Sequence, residues 1–206
     1  MNISLTRALA ALLLLLPAAC SLPVQQPAEG LMDWAQRQSY LSQIDTWRVD
    51  GRIAMQSQDD AWSASLKWQQ RNTDYDLKLF GPLGRKALSV IGGADYVILT
   101  TDEGETFSES SATSLIYRQT GWQVPVENLR YWARAMAVPG QAEISQHDEQ
   151  GRLQELSQSG WVIHYESYQQ AGQLQMPRKM RLEHEHFTVK LILRDWQLGP
   201  GNQGNS

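Results

Sequence analysis

The 206-residue sequence predicts a mainly β fold with some α: a half-open, unclosed antiparallel β-barrel of about eleven strands, with a helical lid over an apolar cavity. Three observations predict it. From Thr46 onward, apolar and polar residues alternate at period two, the mark of strands with one solvated face. Short turn clusters separate the alternating runs, as in an antiparallel meander. Two central segments, Ser111 to Gln119 and Val126 to Ala137, break that period and read as helices. A twisted open sheet of this many strands curls, and a curled sheet encloses space.

Residues 1–19 read as a cleaved leader. Arg7 supplies the positive end, Ala8 to Leu16 the apolar run, and Pro17-Ala18-Ala19 the small residues before the cut. Cys20 follows, the only cysteine of the chain. Its place at the cut resembles the lipobox of bacterial lipoproteins, although Pro17 stands where Leu is usual and Leu16 lies one residue further back. The resemblance implies lipid attachment at Cys20, and Ser21 in place of Asp implies sorting to the outer membrane. Residues 20–30, with Pro23 and Pro27, read as a flexible tether. The folded domain is predicted over 31–198, and a disordered polar tail over 199–206.

Leu31, Trp34, Leu41 and Ile44 lie at helical spacing and predict a short helix covering one end of the domain. Strands follow through Trp47–Met55, Trp62–Trp68 and Tyr75–Leu79. Gly81-Pro82-Leu83-Gly84 then connects to Ala87–Ile91 and Tyr96–Leu99. Leu83 stands out, because turns favour Gly, Pro, Asn, Asp and Ser for backbone reasons that Leu lacks. With Arg85 and Lys86 beside it, Leu83 either projects toward a membrane surface or folds back on the core. Pro125 suits the start of the second central helix, and Pro139-Gly140 its end. Five further strands run from Ala142 to Trp196.

The formal net charge of −4 and the scattered cations exclude a nucleic-acid footprint. There is no serine elbow, phosphate loop or dinucleotide fingerprint. The spacing His184-x-His186 places two rings on one strand face, but Glu183 and Glu185 fall on the other, so a solvated face is the expectation. No catalytic residue, metal site or cofactor is predicted. What remains is apolar binding. Trp47, Trp62, Leu66, Trp68, Leu77, Leu79, Leu88, Ile98, Leu129, Trp132 and Met136 are the candidate lining of a concave face. A filled core is the other reading; large rings facing one another pack poorly, and a gap between them suits acyl chains.

Gly121-Trp122-Gln123-Val124-Pro125-Val126-Glu127-Asn128-Leu129-Arg130-Tyr131-Trp132, followed by Val138-Pro139-Gly140, resembles a segment of the LolB family. Trp68-Gln69-Gln70, Pro82-Leu83-Gly84, Met176-Pro177 and Trp196 match the same family in order across nearly all the mature chain. The resemblance implies a half-open barrel without enzyme activity. It implies acceptance of triacylated lipoproteins from a periplasmic carrier of similar fold (LolA-like) and release of their acyl chains into outer-membrane phospholipid. It places the family's projecting Leu on Leu83, in a loop that here begins with Gly81 rather than Asn. Arg130 matches a family position, and either a hydrogen bond across the lid or a surface salt bridge is expected of it. Asp59, Asp60, Asp74, Asp76 and Glu103 form a candidate acidic patch for the carrier. The chain is expected to act as a monomer. A different class of function, a structural envelope lipoprotein that binds a protein partner through its sheet edge, predicts a dry, filled core instead.

Overall fold

The computed structural model describes residues 34–58, 60–81, 86–120, 124–185 and 187–199, with the backbone alone at 86, 87 and 120. Cys20, the leader, the tether, Asp59, Leu83, Arg85, His186 and the tail beyond Gly199 lie outside the described residues.

Among the described residues, eleven strands form one antiparallel sheet, with three helices. The strands are β1 (Thr46–Gln56), β2 (Ala61–Arg71), β3 (Asp74–Phe80), β4 (Lys86–Gly92), β5 (Val97–Thr101), β6 (Thr106–Glu109), β7 (Glu143–His147), β8 (Leu153–Gln158), β9 (Trp161–Ala171), β10 (Leu174–His184) and β11 (Phe187–Leu198). The helices are α1 (Trp34–Ser42), α2 (Ala112–Thr120) and α3 (Val126–Trp132). The sheet order is β6-β5-β4-β3-β2-β1-β11-β10-β9-β8-β7, so β6 and β7 are edges and the barrel does not close.

Every pairing is a sequential hairpin except β1 with β11, which joins the two meanders. Two features make that junction. Gly51 lies so close to β11 that a Cβ there would sit 2.3 Å from the Ile192 carbonyl oxygen. Nearby the register shifts between Arg48 and Asp50, so Val49 faces two residues of β11. One of the two is Asp195, whose φ of 51° is left-handed. A bulge of this kind bends the strand and sharpens the local twist.

Register assigns the two ends of the barrel. The turns after β1, β3, β5, β8 and β10 share one end, called the mouth. The opposite end is shut by α1, where Leu41 and Ile44 are buried. Trp47 stacks there edge-on against Trp68 at 4.8 Å and lies 5.4 Å from Trp196. The rings therefore pack tightly here, as the filled-core reading expects and not as a gap between them would require; edge-to-face contact is a favourable aromatic geometry. The Trp68 indole donates to Gln70, which is 2 % exposed and donates in turn to the Asn72 carbonyl. The Trp-Gln-Gln motif is thus a buried indole with its own acceptor. Similarly the Trp196 indole donates to the Pro177 carbonyl at 3.0 Å.

The helix expected over Val126 to Ala137 is shorter than its sequence periodicity predicts. In place of Ala137, α3 ends at Trp132. The Met136 amide returns to the Tyr131 carbonyl and the Ala135 amide to that of Trp132. This is the Schellman pattern, with Ala135 (φ 55°) in the left-handed position usually held by Gly. Burial of Ala135 and its neighbours holds this otherwise unfavourable conformation.

Gly51→Ala is expected to lower stability by about 1–3 kcal/mol, the usual cost of overpacking. The measurement is the urea midpoint at constant slope; an unchanged midpoint would show that β11 yields freely at Ile192.

Candidate functional site

Alternation places one face of every strand inward, and burial along that face is uneven. On the β8–β11 side it is complete at the mouth: Leu156, Ile163, Leu182 and Val189 form one cross-strand row, each 2 % exposed or less. The row continues onto Met55 and Trp62, which are half-buried. Ile53, one row further in, and Leu88, one row beyond that, are also half-buried. A strip of half-buried apolar side chains therefore runs over β1 and β2 at the mouth, with Leu88 of β4 set further in beyond the buried Leu79. It ends beside the β3–β4 connection that carries Leu83.

The core divides in two. The larger cluster spans β1–β3, β8–β11, α1 and α3 with the turn after it. A smaller one comprises Val90, Val97 and Leu99 with Ala112 and Leu115 of α2. Tyr75, Leu77, Leu88 and Val126 pack against both, and each is only half-buried. The apolar strip thus leads into a seam between two cores.

The eleven candidate lining residues fall into three groups. Trp47, Leu66, Trp68, Leu79, Leu129, Trp132 and Met136 are buried in the larger cluster. Trp62, Leu77 and Leu88 are half-buried on the concave face. Ile98 is a correction: it is 39 % exposed on the convex face, opposite Ile91, while Val97 and Leu99 point inward. The unbroken apolar run Tyr96–Leu99 conceals its phase, so alternation alone does not orient it.

The lid is held by polar groups at several points. Glu127 of α3 accepts from the Thr113 amide at 3.2 Å and the Ser111 hydroxyl at 2.9 Å, tying α3 to the start of α2. Burial raises the Glu127 carboxyl's pKa, but the hydrogen bond from the Thr113 hydroxyl, with those from backbone amides and Ser111, outweighs it and the net shift is downward. The Gln158 amide bonds both polar groups of Val138, with distances of 2.8 and 3.1 Å, and accepts from the Trp132 indole. The segment before Pro139-Gly140 is thereby pinned to β8 as if by a strand. Tyr165 donates to the Trp132 carbonyl at 2.9 Å.

Arg130 behaves in neither expected way. It donates to the hydroxyl of its neighbour Tyr131 at 3.0 Å and lies over that ring. The arginine that crosses from the lid is Arg134, which the sequence reading missed. Its guanidinium, 7 % exposed, donates to the carbonyls of Leu41 and Ile44 at 3.0 and 2.8 Å and to that of Arg130. No carboxylate pairs with it among the described residues. Burial pushes its pKa down to about 10, yet it remains charged at neutral pH, facing carbonyls at the end of α1 where the helix dipole is negative. The only sequence signal was its place just past the apolar face of α3.

The candidate acidic patch disperses. Asp74 starts β3 at the closed end, Glu103 lies in the β5–β6 turn at the mouth, and Asp76 pairs with Lys78 at 2.8 Å. His184 stacks on Trp161, centroids 5.1 Å apart.

An unclosed antiparallel sheet wrapped over helices, with its apolar face inward, is the architecture of the LolA-like fold. A LolA superfamily protein from Nitrosomonas europaea superposes with a TM-score of 0.55 at 9 % identity, over 82 % of this chain and 94 % of that one. A putative outer-membrane lipoprotein-sorting domain from Vibrio parahaemolyticus gives 0.52 at 9 % identity, over 82 % and 92 %. In sequence, the family described as outer membrane lipoprotein LolB matches residues 45–196. The LolB of Nitrosococcus oceani is 35 % identical over 90 % of this chain and 94 % of its own length. That of Alkalilimnicola ehrlichii is 36 % identical over 93 % and 95 %. The chain belongs to the LolB family. It is an outer-membrane lipoprotein, held by a lipid anchor and without enzymatic activity, that receives lipoproteins from LolA and localises them to the outer membrane.

Replacing Arg134 with Met takes the guanidinium donor from the Ile44 carbonyl and from the Leu41 carbonyl, which keeps the Ile44 amide, and is expected to cost about 2 kcal/mol, read by urea unfolding; an unaffected midpoint would mean water replaces it freely. A second expectation concerns pH. Burial pushes the Tyr165 hydroxyl well above the ordinary value of 10.0. A folded value above the unfolded one means stability that is complete below the unfolded value and lost as pH rises through the folded one. Tyr165→Phe should therefore reduce the decline in stability above that ordinary value. If the slope against pH is the same as in the parent protein, the assignment fails.

Proposed function

We propose that the half-buried apolar strip at the mouth, with the seam behind it, takes the acyl chains of an incoming lipoprotein. Cys20 carries the lipid anchor, and Leu83 guides release into the membrane. The observation that carries this reading is the uneven burial of the concave face. Ile53, Met55 and Trp62 at the mouth, and Leu88 further in, are left half-exposed while the same rows are sealed on the β8–β11 side. Acyl chains gain about 0.8 kcal/mol per buried methylene, so they cross water only when handed from one apolar surface to another. Transfer without an energy source runs downhill: the receptor binds the chains more tightly than the carrier, and the bilayer more tightly still. Leu83 contributes at most about 1.5–3 kcal/mol on entering lipid, enough to orient the mouth but not to anchor the protein. Stable attachment takes more than one acyl chain, which Cys20 would carry. The chain acts as a monomer in this reading.

Leu83→Glu is expected to leave acceptance from the carrier intact and to slow delivery into phospholipid vesicles. Wild-type delivery by that variant would remove Leu83 from the mechanism.

A further inference from the structure

The mouth has a second, polar surface. One outward residue from each of four adjacent strands forms a cross-strand row: Gln56 of β1, Thr188 of β11, Glu183 of β10 and Val162 of β9. Ser57 and Gln58 after β1 and Gly160 after β8 line, with this row, a shallow groove of about 530 Å³. Glu185 and His184 contribute its rim. The Nδ1 of His184 is buried with no hydrogen-bond partner among the described residues. Phe187 belongs to both surfaces, since it lines the groove and packs against the larger core cluster.

An acylated polypeptide needs two surfaces at such a mouth. Its chains require an apolar interior, whereas its backbone amides lose free energy unless they keep hydrogen-bond partners. The groove offers amide, hydroxyl and carboxylate groups, which both donate and accept. It would penalise an acyl chain. Four strands at about 4.8 Å spacing span about 14 Å, the length of roughly four extended residues. Trp62 and Met55 of the apolar strip stand on β2 and β1, next in the sheet to β11, so the apolar and polar parts of the rim sit side by side on opposite faces of the same strands.

We infer that this groove binds the first few residues of the client polypeptide that follow its acylated cysteine, in extended form. The inference rests on the acyl-binding reading above. Of the two carboxylates, Glu183 is already paired with Arg181 and with His164 at 3.2 Å, whereas Glu185 is exposed. Glu185 thus favours cationic residues in that segment.

The test uses a tripalmitoylated Cys-Ser peptide ending in four lysines, with palmitate as the peptide-free control. A benzophenone side chain in place of Gln58 should crosslink to the peptide portion. The double variant Thr188→Arg, Glu185→Lys should weaken lipopeptide binding about fivefold, the worth of one hydrogen bond, and leave palmitate binding unchanged. Equal weakening of both ligands would point to damage to the fold, and the crosslink made in the unaltered groove then decides. Absence of that crosslink, with palmitate still bound, overturns the inference alone. Failure of the parent protein to bind palmitate overturns the acyl-binding reading and the inference with it. A crosslink to the carrier instead of the client, in a mixture of all three, also overturns the inference and makes the groove a docking surface.

Discussion

The close approach of β1 and β11 at Gly51 is the constraint on which the architecture depends. Two meanders, one from each half of the chain, become a single sheet only through that pairing. A side chain at residue 51 would collide with the Ile192 carbonyl, and the adjacent bulge at Asp195 supplies the bend. This bend lies beside the tryptophan cluster, so tight aromatic packing and sheet curvature reinforce one another. With the closed end filled by Trp47, Trp68 and Trp196, solvent-accessible apolar surface on the concave face remains at the mouth.

The lid is fastened by hydrogen bonds, those to the Glu127 carboxylate among them, and by an arginine with no carboxylate partner among the described residues. Arg134 faces backbone carbonyls rather than a carboxylate. A buried ion pair often returns little more than its desolvation cost. Carbonyls at a helix end satisfy the same donors without burying a second charge. Gln158 plays the matching part on β8, its single amide serving both polar groups of Val138. Such fastening pairs the buried polar groups of the lid with one another and with backbone, so that none of these donors is left facing the apolar core.

Much of the fold was legible from alternation, since a period of two survives in nearly every strand. The Leu83 connection was legible too, through a residue its turn does not explain. The failures have physical causes. Ile98 sits in a run apolar at every position, where period two carries no phase. Arg130 was singled out by family position, whereas burial chose Arg134 one helical turn later. The acidic residues scattered because position along the chain gives no information about which end of the barrel a turn occupies: Asp60 and Glu103 lie in turns at the mouth, Asp74 and Asp76 near the closed end.

By itself the sequence determined the strand and helix content, the lipobox pattern at Cys20, the family motifs and the odd Leu83. These depend on local chemistry: side-chain periodicity, turn residues and short motifs. Only the tertiary structure decided the unique β1–β11 junction, the division of the core, the role of Arg134 and the pairing of an apolar strip with a polar groove at one mouth. Each of those depends on residues far apart in the chain meeting across strands, and alternation says which face a residue takes but not what lies opposite it.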